Sequence, residues 1–537
     1  MAAIAALAAA AGPARAQTTP QTQTPRLIVA IAVDQFSADL FAEYRGVFTG
    51  GLKRLAGGAV FPAAYQGHAA TETCPGHATM LTGARPARSG IIANDWIDRD
   101  AARDDKRIYC AEDARVPGSS SSRYTVSARN LKVPTLGDRM KAANPASRVV
   151  AIAGKDRAAV MMGGHAPDQI WFWGGARFDT LADRAGPPPA AVAAANARAA
   201  ALVARPGKAV LPPQCAGRSM AVTVGDGSVG TIADRKAEDF RGFRTAVEFD
   251  AITAELAVAL LDEMKLGRDA APDLLTISLS ATDYVGHSFG TAGAEMCAQM
   301  LALDGAIGRI LAALDRAGMP YAVALTADHG GHDLPERNRL RGFADAERID
   351  PALSARALSD ALMREFNLAT PPLTGEGEFY VARDVPDALR PRLIAAALAR
   401  LTAHPQVAAA YTADALRRMP APRGPVDEWS LAQRYRAGFD PERSGDIIIA
   451  LRPHVMPIAV PGPGHVATHG SPWAYDRRVP MLFWWPGMTG FEQPLAVETV
   501  DMLPTLAALI GLPVPAADVD GRCLDLDAGP GTRCPAP

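Results

Sequence analysis

Three aspartates and three histidines stand where they could share metal ions. Asp34 follows the apolar run Leu27–Val33. Asp283 and His287 are four apart in Asp-Tyr-Val-Gly-His. Asp328 and His329 are adjacent in Ala-Asp-His-Gly-Gly-His, and His469 stands in Ala-Thr-His-Gly-Ser. Carboxylates and imidazoles are the ligands zinc takes where thiolates are absent. On a helix, the Asp283/His287 spacing would present both groups on one face. Each element alone is ordinary surface or capping chemistry. Together, most of them at or near the end of an apolar run, they point to a metal centre.

A hydroxyl accompanies them. In Ala70-Thr-Glu-Thr-Cys-Pro-Gly-His-Ala-Thr-Met80, Pro75 suits the first turn of a helix. The Thr73 hydroxyl would then lie at the helix N-terminus, among free N–H groups that favour anions. In isolation Thr73 reads as an N-cap. Cys74 offers a thiol as a rival nucleophile, but oxygen- and nitrogen-ligated metals would activate a hydroxyl well.

Apolar runs must position these groups. Leu27–Val33, Arg148–Ala153, Leu274–Leu279, Ala322–Ala327 and Val479–Trp485 read as strands buried on both faces. Helical patterns separate them, among them Thr291–Ala317 and Asp501–Ile510. The alternation predicts an α/β fold, a doubly wound, mostly parallel sheet with helices on both faces. Ligands on such sheets bind outside the carboxyl ends of the strands, where Asp34, Lys155, Asp283 and Asp328 fall. The 537 residues exceed one simple domain. Residues 17–160, 251–333 and 460–537 are read as the core, and 161–250 and 334–459 as inserted caps over the site. The Ala-rich stretch 186–204 predicts a helix, since Ala is the best helix former.

The set resembles the alkaline phosphatase superfamily. Within it, the chain is similar to the bacterial phosphate-irrepressible alkaline phosphatases that use threonine, relatives of the nucleotide pyrophosphatase/phosphodiesterases. The threonine before x-Pro-Gly-His matches Thr73. The resemblance implies two Zn²⁺, one held by Asp34, Thr73, Asp328 and His329, the other by Asp283, His287 and His469. Asn94, 21 residues beyond Thr73, resembles the asparagine that bonds a phosphate oxygen. Lys155 and Arg157 resemble the pair by which monoesterases of this branch hold the phosphoryl group. A phosphate monoester is a dianion with three free oxygens, and an Arg fork with a Lys charge suits it. The implied reaction is hydrolysis of small-molecule phosphate esters through a phosphothreonine. Asn94, Lys155, Arg157 and the Cys74 N–H would hold the equatorial oxygens, with the metals clamping the in-line displacement. A sulfatase signature is absent: Cys74-Pro75-Gly76-His77 has neither its spacing nor its Arg. Two other readings share the residues, a phosphodiesterase or nucleotide pyrophosphatase and a non-catalytic exported binder of phosphate or metal.

Residues 1–16 form a short Ala-rich apolar run ending in an A-x-A pattern, which reads as a signal peptide cleaved before Gln17. The mature chain is expected to be periplasmic or secreted. No later stretch reads as long enough to cross a membrane, so no membrane insertion is expected. Six cysteines suit an oxidising compartment. Cys523 and Cys534 are the best candidate disulfide, and the other pairings stay open. Net charge is -2, from 55 basic and 57 acidic residues, which gives no support for a nucleic-acid partner. Apolar residues at 48% and charged residues at 21% exclude global disorder. The other histidines, His68, His77, His165, His332, His404, His454 and His465, carry no assigned role.

Overall fold

The computed structural model describes residues 24–184, 186–527 and 532–535. The expected leader, 1–16, lies outside them. A ten-stranded sheet organises the core. Its centre is parallel: Tyr321–Thr326, Leu27–Val33, Asp273–Leu279, Val149–Ala153 and Gln169–Trp173 lie side by side in that order. Every residue of Leu27–Val33 and Asp273–Leu279 is buried, so both faces are covered. That is why these strands read as continuous apolar runs rather than alternating ones. On the far side of Tyr321–Thr326, the strand Arg478–Trp484 runs antiparallel, paired in turn with Ala59–Tyr65.

Two groups of helices cover the sheet. Ala294–Ala317 packs with Glu248–Glu263, which also packs with Ala190–Val203. Thr73–Thr82 packs with Asp156–Gly163 and Met502–Leu509. Against the expectation that no later stretch is long enough, Ala294–Ala317 is long and apolar enough to cross a membrane by length and composition. However, 67% of its apolar window is buried inside the fold, as in a core helix.

The segment 161–250, expected to be an inserted cap, forms part of the core sheet. It supplies Gln169–Trp173 and Phe178–Asp179 to the central sheet. The Ala-rich stretch becomes the helix Ala190–Val203. The segment 334–459 builds a separate four-stranded sheet from Leu373–Thr374, Glu378–Val381, Ile447–Leu451 and Val407–Thr412. Its own apolar core contains Leu362, Phe379, Leu393, Leu401 and Ile447. All six cysteines pair, as Cys74–Cys110, Cys215–Cys297 and Cys523–Cys534. The first bond removes the Cys74 thiol as a rival nucleophile.

Candidate active site

Four neighbouring strands end at one place. Asp34 follows Leu27–Val33 directly, and its N–H donates to the Leu279 carbonyl of the adjacent strand. Asp328 follows Tyr321–Thr326 by two residues, and Lys155 follows Val149–Ala153 by two. After Asp273–Leu279 the chain enters the helix Ala281–Phe289, which carries Asp283 and His287 one turn apart. His287 Nε2 lies 3.3 Å from Asp283 Oδ1, as the helical spacing requires. His469 arrives on a loop, with Nε2 also 3.3 Å from Asp283 Oδ1. That loop is fixed by the buried Asp476, which accepts the Ser471 N–H at 2.8 Å. Asp476 received no role from the sequence.

The nucleophile candidate sits on the helix Thr73–Thr82. Glu72 is the N-cap, so Thr73 is the first helical residue and not the cap. The helix lies against the end of the Asp328 strand. A Cβ on Gly76 would fall 2.0 Å from the Asp328 carbonyl oxygen, so only glycine permits this approach. The Thr73 hydroxyl is buried, 3.3 Å from Arg157 Nη2 and 3.5 Å from Lys155 Nζ. Asn94 is adjacent, its Oδ1 accepting the Cys74 N–H at 2.9 Å. That N–H was expected to hold a phosphoryl oxygen, and here it is spent on Asn94. The Asn94 N–H in turn donates to Glu72 at 2.7 Å.

The donors form two adjoining sets. Asp34, Asp328 and His329 converge in one, and Asp283, His329 and His469 in the other. His287 joins the second through Asp283. The His329 and His469 rings stack with centroids 3.6 Å apart, so the sets share a border. Each histidine turns its Nδ1 to a backbone carbonyl: His287 to Ala467, His329 to Gly330, His469 to Thr71, at 2.8, 2.9 and 2.8 Å. Those bonds place the proton on Nδ1 and leave Nε2 as a lone-pair donor, the usual outer support of metal-bound imidazoles. Burial also holds His329 down to about 3, so its ring is neutral near pH 7.

The charge is unbalanced. Lys155 Nζ bridges Asp34 Oδ2 at 2.6 Å and Asp283 Oδ2 at 2.5 Å. One ammonium faces three buried carboxylates, those of Asp34, Asp283 and Asp328. Burial and the neighbouring carboxylates Asp283 and Asp328 push Asp34 well above the usual range. Burial likewise opposes ionisation of Asp328, but His329 and His77 hold it below that range. Asp34 Oδ1, Asp283 Oδ1, Asp328 Oδ2 and His329 Nε2 are buried without a hydrogen-bond partner. Unpaired buried donors and excess negative charge are what divalent cations satisfy, and an oxygen and nitrogen set without sulfur fits zinc.

His77, the histidine of the Thr-x-Pro-Gly-His motif, had no assigned role, yet it belongs to this site. Its Nδ1 bonds the Thr73 carbonyl at 2.9 Å and lies 3.1 Å from Asp328 Oδ2. Its Nε2 bonds Ser278 Oγ at 2.8 Å. Its place in that motif, one turn beyond Thr73, was the available signal. Beside Glu72 a cavity of about 240 Å³ opens toward the inserted sheet, walled by Asp95, Trp96, Glu378 and Tyr380. Burial lifts Glu378 there to about 7.

Comparison with known proteins places the chain in a family. The profile of the family described as type I phosphodiesterase / nucleotide pyrophosphatase matches residues 28–472. Alkaline phosphatase PhoD of Zymomonas mobilis is 53% identical over 517 residues, covering 95% of this chain and 89% of that protein. Alkaline phosphatase PhoK of a Sphingomonas species is 52% identical, over 95% of this chain and 92% of its own length. The crystal structure of wild-type alkaline phosphatase PafA superposes with a TM-score of 0.81 at 25% identity, covering 93% of this chain and 98% of that one. The chain therefore belongs to the type I phosphodiesterase / nucleotide pyrophosphatase family of the alkaline phosphatase superfamily, on the branch of the bacterial phosphate-irrepressible alkaline phosphatases.

Proposed function

We propose that this enzyme is an alkaline phosphatase that hydrolyses small-molecule phosphate monoesters with two zinc ions, through a phosphothreonine at Thr73. The observation that carries the reading is the Thr73 hydroxyl, buried at a helix start between Lys155 and Arg157. The relatives named alkaline phosphatase, half-identical over nearly the whole chain, support the activity. When bound, the zinc ions supply Lewis-acid charge for the attacking and leaving oxygens and lower the pKa of a hydroxyl or water. Asp34, Asp328 and His329 with Thr73 would hold one, and Asp283, His287 and His469 the other.

The chain's own residues do the rest. Thr73 Oγ attacks phosphorus in line, forming the phosphothreonine ester as the bond to the substrate alcohol breaks. The helix N-terminus behind Thr73 favours the anion. Lys155 and Arg157 offer donors to the equatorial oxygens, where charge sits in a loose transition state. Arg157 Nε is buried with no partner and remains available to one of them. With Asn94 Oδ1 turned to Cys74, its amide NH₂ is the end left for phosphate. The cavity beside Glu72 gives the alcohol portion room. Water then cleaves the phosphothreonine, releasing phosphate and restoring the hydroxyl. Export to the periplasm or medium is part of the reading, supported by the leader-like 1–16 and by three disulfides.

The family profile also names phosphodiesterases, which favours a diester reading. Lys155 and Arg157 separate the two. A diester offers one fewer charged oxygen, so it has less to lose from their removal. Each charge-assisted hydrogen bond contributes roughly 1.5–3 kcal/mol, and about 1.4 kcal/mol is tenfold in rate. Replacing both residues with Ala should lower kcat/KM on an aryl monoester by about 10² to 10⁴. The loss on a diester with the same leaving group should be far smaller. An equal fractional loss on both would put the diester reading ahead.

A further inference from the structure

The segment from Asn94 to Asn130 lies over the nucleophile helix as a strap. It contains the short hairpin Asp95–Ile97 with Arg107–Tyr109. One end of the hairpin is tied to the helix start by a disulfide and closed on itself by a backbone bond. Cys110 is disulfide-bonded to Cys74, the residue after Thr73, and its N–H donates to the Asn94 carbonyl at 2.9 Å. Asn130 Nδ2 secures the turn beyond by donating to the carbonyls of Tyr109, Cys110 and Glu112 at 3.1, 3.2 and 3.1 Å. Tyr109 is therefore held with little freedom.

Its hydroxyl meets the phosphate-gripping arginine. Tyr109 O–H donates to Asp156 Oδ1 at 2.7 Å, and Tyr124 O–H donates to Asp156 Oδ2 at the same distance. The two rings pack with centroids 4.5 Å apart. Arg157 Nη1 lies 3.5 Å from the Tyr109 oxygen, while Nη2 reaches Thr73 Oγ1 at 3.3 Å. One guanidinium thus spans the nucleophile and the strap, and the bonds run in series from Arg157 through Tyr109 to Asp156. Such chains polarise one another and fix orientation. Burial lifts the Tyr109 hydroxyl well above tyrosine's usual range, so it keeps its proton in alkaline solution and continues to donate to Asp156.

We propose that Tyr109 is the positioning residue that holds Arg157 toward Thr73 and thereby sets the preference for phosphate monoesters over diesters. The inference rests on the monoesterase reading above and adds a residue to which no role has been given. Without the hydroxyl, the Arg157 fork loses one of its two anchors. Its grip on the third phosphoryl oxygen weakens, while binding of the diester, which lacks that charge, barely changes.

The test is a double-mutant cycle of Tyr109→Phe and Arg157→Ala. Phe keeps the ring and its packing on Tyr124 and removes only the hydroxyl. The readouts are kcat and KM for an aryl phosphate and for the matched aryl methyl diester, with the inhibition constant of inorganic phosphate. Tyr109→Phe should lower kcat/KM on the monoester about 5- to 10-fold, the size of one modest hydrogen bond, and on the diester less than about twofold. In the Arg157→Ala background the same change should add almost nothing, since coupled residues are not additive. Equal losses on the two substrates, or a full additional loss without Arg157, would overturn the proposal. If Arg157→Ala alone shows no selective loss on the monoester, the monoesterase grip itself fails and Tyr109's role fails with it. If Arg157→Ala is selective and Tyr109→Phe is not, the grip stands and only the positioning role is lost.

Discussion

At the scale of single residues, the proposed chemistry depends on Thr73. Thr73→Ala should abolish turnover, by about 10⁴ or more, as when other enzymes lose a covalent nucleophile. The fold should survive, because Glu72 and not Thr73 is the helix N-cap. Thr73→Ser should retain part of the rate, since it keeps the hydroxyl. Steady-state rates on an aryl phosphate, with circular dichroism as the fold control, decide this. Near-normal turnover by the Ala variant would remove the nucleophile assignment. The groups that converge here were readable only as a set: each alone is ordinary surface or capping chemistry, and their shared place near the ends of apolar runs singles them out. What could not be read was which groups lie side by side. His77 acquires its meaning from Ser278 and Asp328, each at least 200 residues away. The Cys74 N–H was assigned to substrate because nothing local revealed that Asn94 would take it. The Cys74–Cys110 bond was equally hidden, since six cysteines allow many pairings.

At the scale of elements, the short helix Ala281–Phe289 must hold Asp283 and His287 rigid. Its first N–H groups have no partner within the helix. Asp250, on Glu248–Glu263, supplies one from outside: its Oδ1 accepts the Ala281 N–H at 3.0 Å. Its Oδ2 accepts Gln299 Nε2 at 2.8 Å. A carboxylate at a helix N-terminus also meets the favourable end of the dipole. Asp250→Ala leaves two buried donors without acceptors, about 1–3 kcal/mol each. The variant should melt earlier and release zinc faster to a chromogenic chelator. Asp250→Asn should keep more of both than Ala does, because its one carbonyl can still accept the Ala281 N–H. Zinc release from Asp250→Ala at the wild-type rate would mean the cap does not support the ligands. The central strands were legible for the reason that makes them stable, namely continuous apolar burial. Ala59–Tyr65 was not, because Pro62 within it argues against a strand. The sheet accommodates Pro62 where the pairing with Arg478–Trp484 shifts register, between Val479 and Met481. Gln169–Trp173 was assigned to a cap because it lies in a long segment that breaks the strand–helix rhythm. Only its pairing with Val149–Ala153 reveals that the sheet continues there.

At the scale of the molecule, the site is a reservoir of unbalanced charge inside a neutral protein. The chain as a whole is near zero, at -2, yet Asp34, Asp283 and Asp328 are buried around the single ammonium of Lys155. Buried charges of one sign oppose folding unless cations join them. Metal binding and global stability should therefore be linked. A ligand present at about 1,000 times its Kd stabilises by about 4.1 kcal/mol per site. Two such sites should together hold on the order of 8 kcal/mol. Chelation should lower Tm by many degrees and silence turnover, and added Zn²⁺ should restore both. The sharper expectation is a change of sign. Asp34 is the carboxylate whose ionisation burial and its neighbours oppose most clearly. Asp34→Asn should destabilise the zinc-loaded protein, which loses a charged ligand. It should stabilise the chelated protein, which loses a repulsive charge while Lys155 keeps Asp283 as its partner. Scanning calorimetry of both proteins, with Zn²⁺ and with excess chelator, measures all four states. If Asp34→Asn lowers Tm equally in both conditions, Asp34 is a packing residue and not part of a cation-compensated site.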